Sequence, residues 1–97
     1  KVKFPMGADP TGKICRYLGI YLEEEGLCLR GSFIVDPEGI IRAFEVHDNN
    51  IGRSAKELLR KLKAAIFVRE NKGQVCPASW EPGKKTLKPG LDIVGKI

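Results

Sequence analysis

Two strand-like runs joined by a tight turn, followed at once by a capped amphipathic helix, constrain this chain more than any other feature. Residues 31–36, Gly-Ser-Phe-Ile-Val-Asp, are strand-like and largely apolar, and residues 40–46, Ile-Ile-Arg-Ala-Phe-Glu-Val, return after Pro37-Glu38-Gly39. Pro and Gly each suit their place in that turn, and so short a connection demands an antiparallel hairpin. On the second strand apolar and charged residues fall on both faces, which fits an edge strand whose partner is another chain. Ser54-Ala55-Lys56-Glu57 then forms a capping box, with Ser at the N-cap and Glu three residues on. Ala55, Leu58, Leu59, Leu62, Ala65 and Ile66 follow at helical spacing. The spacing predicts a helix over about 54–70 that covers one face of the hairpin, with Lys56, Arg60 and Lys63 toward solvent and Asn71 and Gly73 as its stop.

The flanks are less regular. Residues 1–6, Lys-Val-Lys-Phe-Pro-Met, read as a short strand with Val2 and Phe4 on one face. Asp9 as N-cap and Pro10 at the first helical position start a short helix through Ile14, Tyr17 and Leu18, ended by Gly19. Glu23-Glu24-Glu25-Gly26 reads as a polar connector. Residues 73–97 hold three prolines and four glycines and keep no period, yet carry Val75, Trp80, Leu87, Leu91, Ile93 and Val94. A disordered tail rarely holds so much apolar surface. The segment is expected to be an extended arm that docks on something, a partner subunit being one candidate.

At 97 residues, 42% apolar and 30% charged, the chain has room for one small globular domain. The longest apolar run, Ala64 to Val68, is five residues, against about twenty for a membrane-spanning helix. No charged-then-apolar leader opens the sequence, which starts Lys-Val-Lys-Phe-Pro without Met. Three strands, two helices and an arm would bury little alone, so a piece of a longer protein is expected. Residues 1–50 carry six basic and eight acidic side chains, and residues 51–97 carry eleven and four. A basic half can signal nucleic acid, an acidic partner or only a solvated face. Lys84, Lys85 and Lys88 have no interleaved aromatics and are expected to be solvated.

Three cysteines, Cys15, Cys28 and Cys76, leave an odd thiol, which argues against a secreted disulfide framework and suits a reducing cytoplasm. With no Cys-x-x-Cys pair and His47 the single histidine, no structural zinc is expected. Cys15 and Cys28 sit among apolar residues and are expected in the core, and His47 beside Asp48 at the surface. Cys76, in Val75-Cys76-Pro77-Ala78, lies on the irregular arm, where Pro77 favours an extended backbone. It is either a small buried hydrophobe or a thiol able to reach a distant sulfenic acid. Arg30, between Leu29 and Gly31 at the mouth of a strand, either stabilises a thiolate or oxyanion or pairs with Asp36 or Glu23 to Glu25. Arg53 precedes the capping box and either meets a carboxylate or faces water.

Several segments together resemble a known family. Asp9-Pro10-Thr11-Gly12, Phe33-Ile34-Val35-Asp36-Pro37-Glu38-Gly39, Gly52-Arg53-Ser54, Val75-Cys76-Pro77-Ala78 and Trp80-Glu81-Pro82-Gly83 occur in order. The set is similar to the C-terminal portion of typical two-cysteine peroxiredoxins. The ending Leu91-Asp92-Ile93-Val94-Gly95-Lys96-Ile97 looks most like the peroxidase subunits of bacterial alkyl hydroperoxide reductases. The resemblance implies an α/β fold, the C-terminal part of a thioredoxin-like domain over 1–72, and a C-terminal arm over 73–97. It implies Cys76 as resolving cysteine, Arg30 as the arginine stabilising the peroxidatic thiolate and peroxide, and Arg53 as a supporting arginine that pairs with a glutamate. It implies a cytoplasmic peroxide-reducing enzyme without cofactor or metal. Its partners would be a second subunit through the edge strand and arm, a higher ring, and a flavoprotein or thioredoxin-like reductase, with no nucleic acid and no membrane. No Pro-x-x-x-Thr-x-x-Cys motif, the family's peroxidatic site, occurs in these residues. The chain alone is therefore expected to be inactive. The absence of a Gly-Gly-Leu-Gly insertion and of a Tyr-Phe ending implies a whole enzyme that resists overoxidation. The competing reading is a small basic interaction module docking on an acidic or nucleic-acid partner, with Cys76 incidental and salt-sensitive binding as its mark.

Overall fold

The computed structural model describes all 97 residues. In chain order the elements are α1 (Lys13–Tyr17), β1 (Tyr21–Leu22), β2 (Leu27–Cys28), β3 (Arg30–Val35), β4 (Ile41–His47) and α2 (Ala55–Glu70), with a 3-10 turn at Leu91–Ile93. β1 pairs with β2 and β3 with β4 in two separate sheets. The residues form two compact units, one of Lys1–Phe33 and Phe44–Arg53, the other of Ile34–Ala43 and Ser54–Ile97.

In the first unit, residues 1–6 are irregular rather than a strand, and Phe4 is 68% exposed. A strand needs a neighbour for its backbone groups, and these residues find none within the chain. Asp9 does cap a helix, but from a distance. Its carboxylate accepts from the N–H groups of Ile14 (3.1 Å) and Cys15 (3.0 Å), and a turn closed by Gly12 N–H on the Asp9 carbonyl delays α1 to Lys13. Gly12 sits at φ 72°, and a Cβ there would come within 2.6 Å of the Tyr21 ring. Only glycine meets both demands. Gly19, also left-handed, ends the helix as expected.

The Glu23–Gly26 segment is more than a connector. It turns a small hairpin in which Tyr21 faces Cys28 and Leu22 faces Leu27. The Arg16 guanidinium lies 4.3 Å from the Tyr21 ring centroid and forks onto Glu23 at 2.5 and 3.1 Å. Leu29, the one residue between β2 and β3, donates its N–H to the Ile20 carbonyl. At the open end of the β3–β4 hairpin Phe33 and Phe44 stack with centroids 5.8 Å apart.

In the second unit the hairpin turn is built around Asp36. One carboxylate oxygen accepts the N–H groups of Glu38 and Ile40 at 2.9 Å each, and the other accepts Arg42 Nε at 2.8 Å. Gly39 takes the left-handed corner at φ 85°. Arg69, near the end of α2, reaches the same turn and bonds Glu38 at 2.6 Å. These bonds, the Ile40 amide foremost, hold the Asp36 carboxyl below its ordinary 3.8. A depressed folded-state value means that the unfolded chain takes up the extra proton. The stabilisation is therefore present above the ordinary value and lost as pH falls through the lower one. Asp36→Asn is expected to lower the urea midpoint at pH 6, and the gap to the parent should narrow as pH falls below about 4. A gap constant with pH would remove the charge from the account.

α2 spans Ala55–Glu70, close to expectation. Ser54 Oγ accepts Glu57 N–H at 3.1 Å, which is half of a capping box. The Glu57 carboxylate turns instead to Arg60. Ser54→Ala should cost about 1 kcal/mol, read from the shift of a denaturation midpoint. The helix does not lie flush on the hairpin as the sequence suggests. Ile34 and Ala43 on one side and Leu62, Ala65 and Ile66 on the other border a groove of about 830 Å³. Leu59, Leu62 and Ile66 stay 40–49% exposed, an apolar stripe without a partner in these 97 residues. Nor does Arg60 face solvent: its side chain is 17% exposed.

The arm over 73–97 docks on its own helix. Val75 and Leu87 bridge through paired backbone bonds of 2.6 and 2.7 Å. Trp80 is 2% exposed and packs its ring 4.9 Å from that of Phe67. Its indole N–H donates to the Lys84 carbonyl at 3.1 Å, as buried indoles require.

Candidate functional site

Cys76 is the one thiol outside a disulfide. It is half-buried, between the Val75–Leu87 bridge and a turn closed by Trp80 N–H on the Pro77 carbonyl at 2.9 Å. The arm here is tied down, not loose. Cys76 lines the groove between hairpin and helix, and so does Arg60. Burial pushes the thiol above its ordinary value, and the Arg60 guanidinium pulls it part of the way back. At neutral pH the group is chiefly a thiol. Its reaction with an alkylating reagent should speed up with pH well past neutrality, and a plateau reached near pH 7 would contradict the burial argument.

Arg30 and Arg53 come together in the other unit, at the start of β3. Arg30 Nε donates to the Asn49 carbonyl at 3.0 Å. Arg53 Nη1 donates to the Gly31 carbonyl at 2.6 Å and to Ser32 Oγ at 3.2 Å. Two of the carboxylates considered for Arg30 are engaged elsewhere: Asp36 holds Arg42, and Glu23 holds Arg16. Nor does a glutamate hold Arg53, whose partners are a carbonyl and a hydroxyl. Both guanidiniums are thus held by neutral oxygens, an arrangement that suits an anion or a developing oxyanion. His47 is satisfied at the surface, with Nδ1 3.1 Å from the Gly52 carbonyl and Nε2 3.6 Å from Glu45.

Two features escaped the sequence reading. Cys15 and Cys28 are not core residues. They form a disulfide, with Cα atoms 6.2 Å apart, and neither is buried. The second feature is Arg60, placed on the solvent side by spacing but turned toward Trp80 and Cys76.

The comparisons fit this geometry. The AhpC/TSA family matches residues 1–44, and the C-terminal domain of 1-Cys peroxiredoxins matches residues 67–93. The alkyl hydroperoxide reductase C of Pseudomonas aeruginosa (strain UCBPP-PA14) is 50% identical over 97 residues, which is all of this chain and 52% of the relative. The crystal structure of Enterococcus faecalis AhpC superposes with a TM-score of 0.68 at 50% identity, over 72% of this chain and 42% of that one. The reduced 2-Cys peroxiredoxin of Plasmodium vivax superposes with a TM-score of 0.76 at 33% identity, over 84% and 42%. The chain spans about half the length of the curated relatives it matches.

Proposed function

The chain belongs to the AhpC/TSA peroxiredoxins and carries the α/β C-terminal part of their thioredoxin-like fold; from that premise we propose that it supplies the resolving half of a thiol-dependent peroxidase. Residues 1–72 belong to the thioredoxin-like domain in this reading, and 73–97 are the arm that presents Cys76. A peroxidatic thiolate, absent from these 97 residues, attacks the O–O bond of hydrogen peroxide or an organic hydroperoxide and releases water or an alcohol. Its sulfenic acid then condenses with the Cys76 thiol of a second subunit, forming the S–S bond and releasing water. A disulfide reductase, flavoprotein or thioredoxin-like, restores both thiols. Arg30 holds positive charge where the peroxidatic thiolate and leaving oxygen need it, and Arg53 fixes the backbone beside it through the Gly31 carbonyl.

The observation that carries the reading is Cys76 itself. It is the free thiol of the chain, on an ordered arm, at the edge of an open groove. The edge strand β4, where Phe44 stays 67% exposed, is the surface proposed to pair across a dimer, with a ring as the larger assembly and the cytoplasm as its setting. The basic-module alternative weakens, because Arg60, Arg69 and Lys84 are bound to Glu57, Glu38 and Glu81 within the chain.

The test mixes the chain with a two-cysteine peroxiredoxin whose own resolving cysteine is replaced by serine, after one equivalent of hydrogen peroxide. A mixed disulfide through Cys76, absent with Cys76→Ser, is the expected product by mass spectrometry. Cys76 recovered free while the sulfenic acid persists would overturn the reading.

A further inference from the structure

We propose that Arg60 is a positioning residue for the resolving thiol: it ties the Pro77–Trp80 turn, which directly follows Cys76, to α2 and sets a cation in the groove that Cys76 lines. The proposal rests on the role given to Cys76 above. It begins from a side chain whose place contradicts the pattern of its helix. By spacing Arg60 belongs with Lys56 and Lys63 on the solvent face, yet it is 17% exposed and turned under the arm.

Its three nitrogens are all engaged. Nε lies 2.9 and 3.1 Å from the two Glu57 oxygens, Nη2 lies 2.7 Å from one of them, and Nη1 donates to the Trp80 carbonyl at 3.0 Å. A guanidinium forked onto a carboxylate one turn earlier has few rotamers left. The remaining N–H therefore points along a fixed direction, and the Trp80 carbonyl takes it.

That carbonyl belongs to the last residue of a turn that starts at Pro77, directly after Cys76. Trp80 N–H closes the turn on the Pro77 carbonyl at 2.9 Å, and the Trp80 ring is locked against Phe67. Arg60 thus acts on the backbone that carries the sulfur, through one hydrogen bond, while it borders the same groove as Cys76. Lysine at this position would keep the charge and lose the fork, so the two contributions are separable.

Removing the nearby cation raises the thiol's value. That lowers the thiolate fraction at neutral pH, and the stronger nucleophilicity of a more basic thiolate offsets only part of the loss in rate. Loss of the hold on the turn should slow capture of a bulky sulfenic acid further, with little effect on a small alkylating reagent.

The experiment measures Cys76 alkylation against pH, together with the rate of mixed-disulfide formation in the assay above, for the parent chain, Arg60→Ala and Arg60→Lys. Arg60→Ala should move the alkylation midpoint up and slow mixed-disulfide formation by a larger factor than it slows alkylation at the same pH. Arg60→Lys should restore the midpoint but not the disulfide rate. A midpoint unchanged in Arg60→Ala, with Trp80 fluorescence as in the parent, would overturn the proposal. So would full recovery of both readouts by lysine, because the fork would then be idle. A parent chain that forms no mixed disulfide but whose midpoint still shifts in Arg60→Ala would sink the peroxidase reading and leave the local charge effect standing.

Discussion

Replacing Trp80 with alanine is expected to remove about 3–5 kcal/mol from the stability of the unit that carries α2 and the arm. Trp80 is the most buried of the large side chains here, at 2% exposed. Its ring packs on Phe67, its indole N–H satisfies the Lys84 carbonyl, and its own carbonyl receives Arg60. Truncation leaves a cavity where the arm meets the helix and uncouples the turn that bears Cys76. Chemical denaturation followed by circular dichroism gives the loss, since the variant has no tryptophan to report. Trp80→Phe is the control. It keeps most of the packing and leaves one carbonyl without its donor, for a cost of about 1 kcal/mol. The reactivity of Cys76 should rise in the alanine variant, because burial is what holds the thiol up. A loss below about 1 kcal/mol with unchanged thiol reactivity would mean that the arm is anchored elsewhere.

The elements legible in the sequence are those whose signals are local. The Asp36–Ile40 turn follows from an aspartate that caps its own turn and from a glycine at the left-handed corner. α2 follows from the Ser54 cap and a helical apolar stripe. Gly19 and Asn71 stop their helices where the reading placed them, Asn71 by donating to the Phe67 carbonyl.

The misreadings concern partners. Val2 and Phe4 alternate like a strand, but alternation supplies no neighbour, and the segment stays irregular. β1 and β2 are two residues each, too short for any period to reveal, and they exist because the Glu23–Gly26 turn and the Cys15–Cys28 bond hold them. The arm has no periodicity because scattered contacts fix it, the Val75–Leu87 bridge and the buried Trp80 and Ile93, and such anchors leave no pattern. Arg60 was assigned to solvent by helical spacing alone, which is blind to an arm folding back over that face. Of the candidate site, Cys76 was picked out by its proline and its irregular surroundings, and Arg30 by its place at a strand end. Their partners, the Arg60 cation and the Asn49 carbonyl, come from distant residues that local spacing does not link.

Reduction of the Cys15–Cys28 disulfide is expected to loosen one unit while leaving the other folded. Ile20 is the buried apolar residue of the first unit, whereas Ile34, Trp80 and Ile93 all belong to the second. α1 has five residues and β1 and β2 two each, lengths at which neither helix nor hairpin stands alone. A covalent tie across a sequence separation of 13 supplies what the small core does not. Closing a loop of that size contributes about 3 kcal/mol. Dithiothreitol, or the double replacement Cys15→Ser with Cys28→Ser, should therefore erase amide hydrogen-exchange protection across residues 13–28 and leave that of α2 intact. Cys76 is already a free thiol, so reductant changes nothing in the second unit. The effect should reach further along the chain. Leu29 N–H bonds the Ile20 carbonyl, and Arg30 follows at once as the first residue of β3. Freeing Cys28 thus loosens the segment that delivers Arg30, the cation proposed for the peroxidatic site. Protection unchanged at Tyr21, Leu22 and Leu29 after complete reduction would show that hydrogen bonds and the Arg16–Tyr21 stack suffice to hold the segment. The disulfide would then be a consequence of that geometry and not its cause.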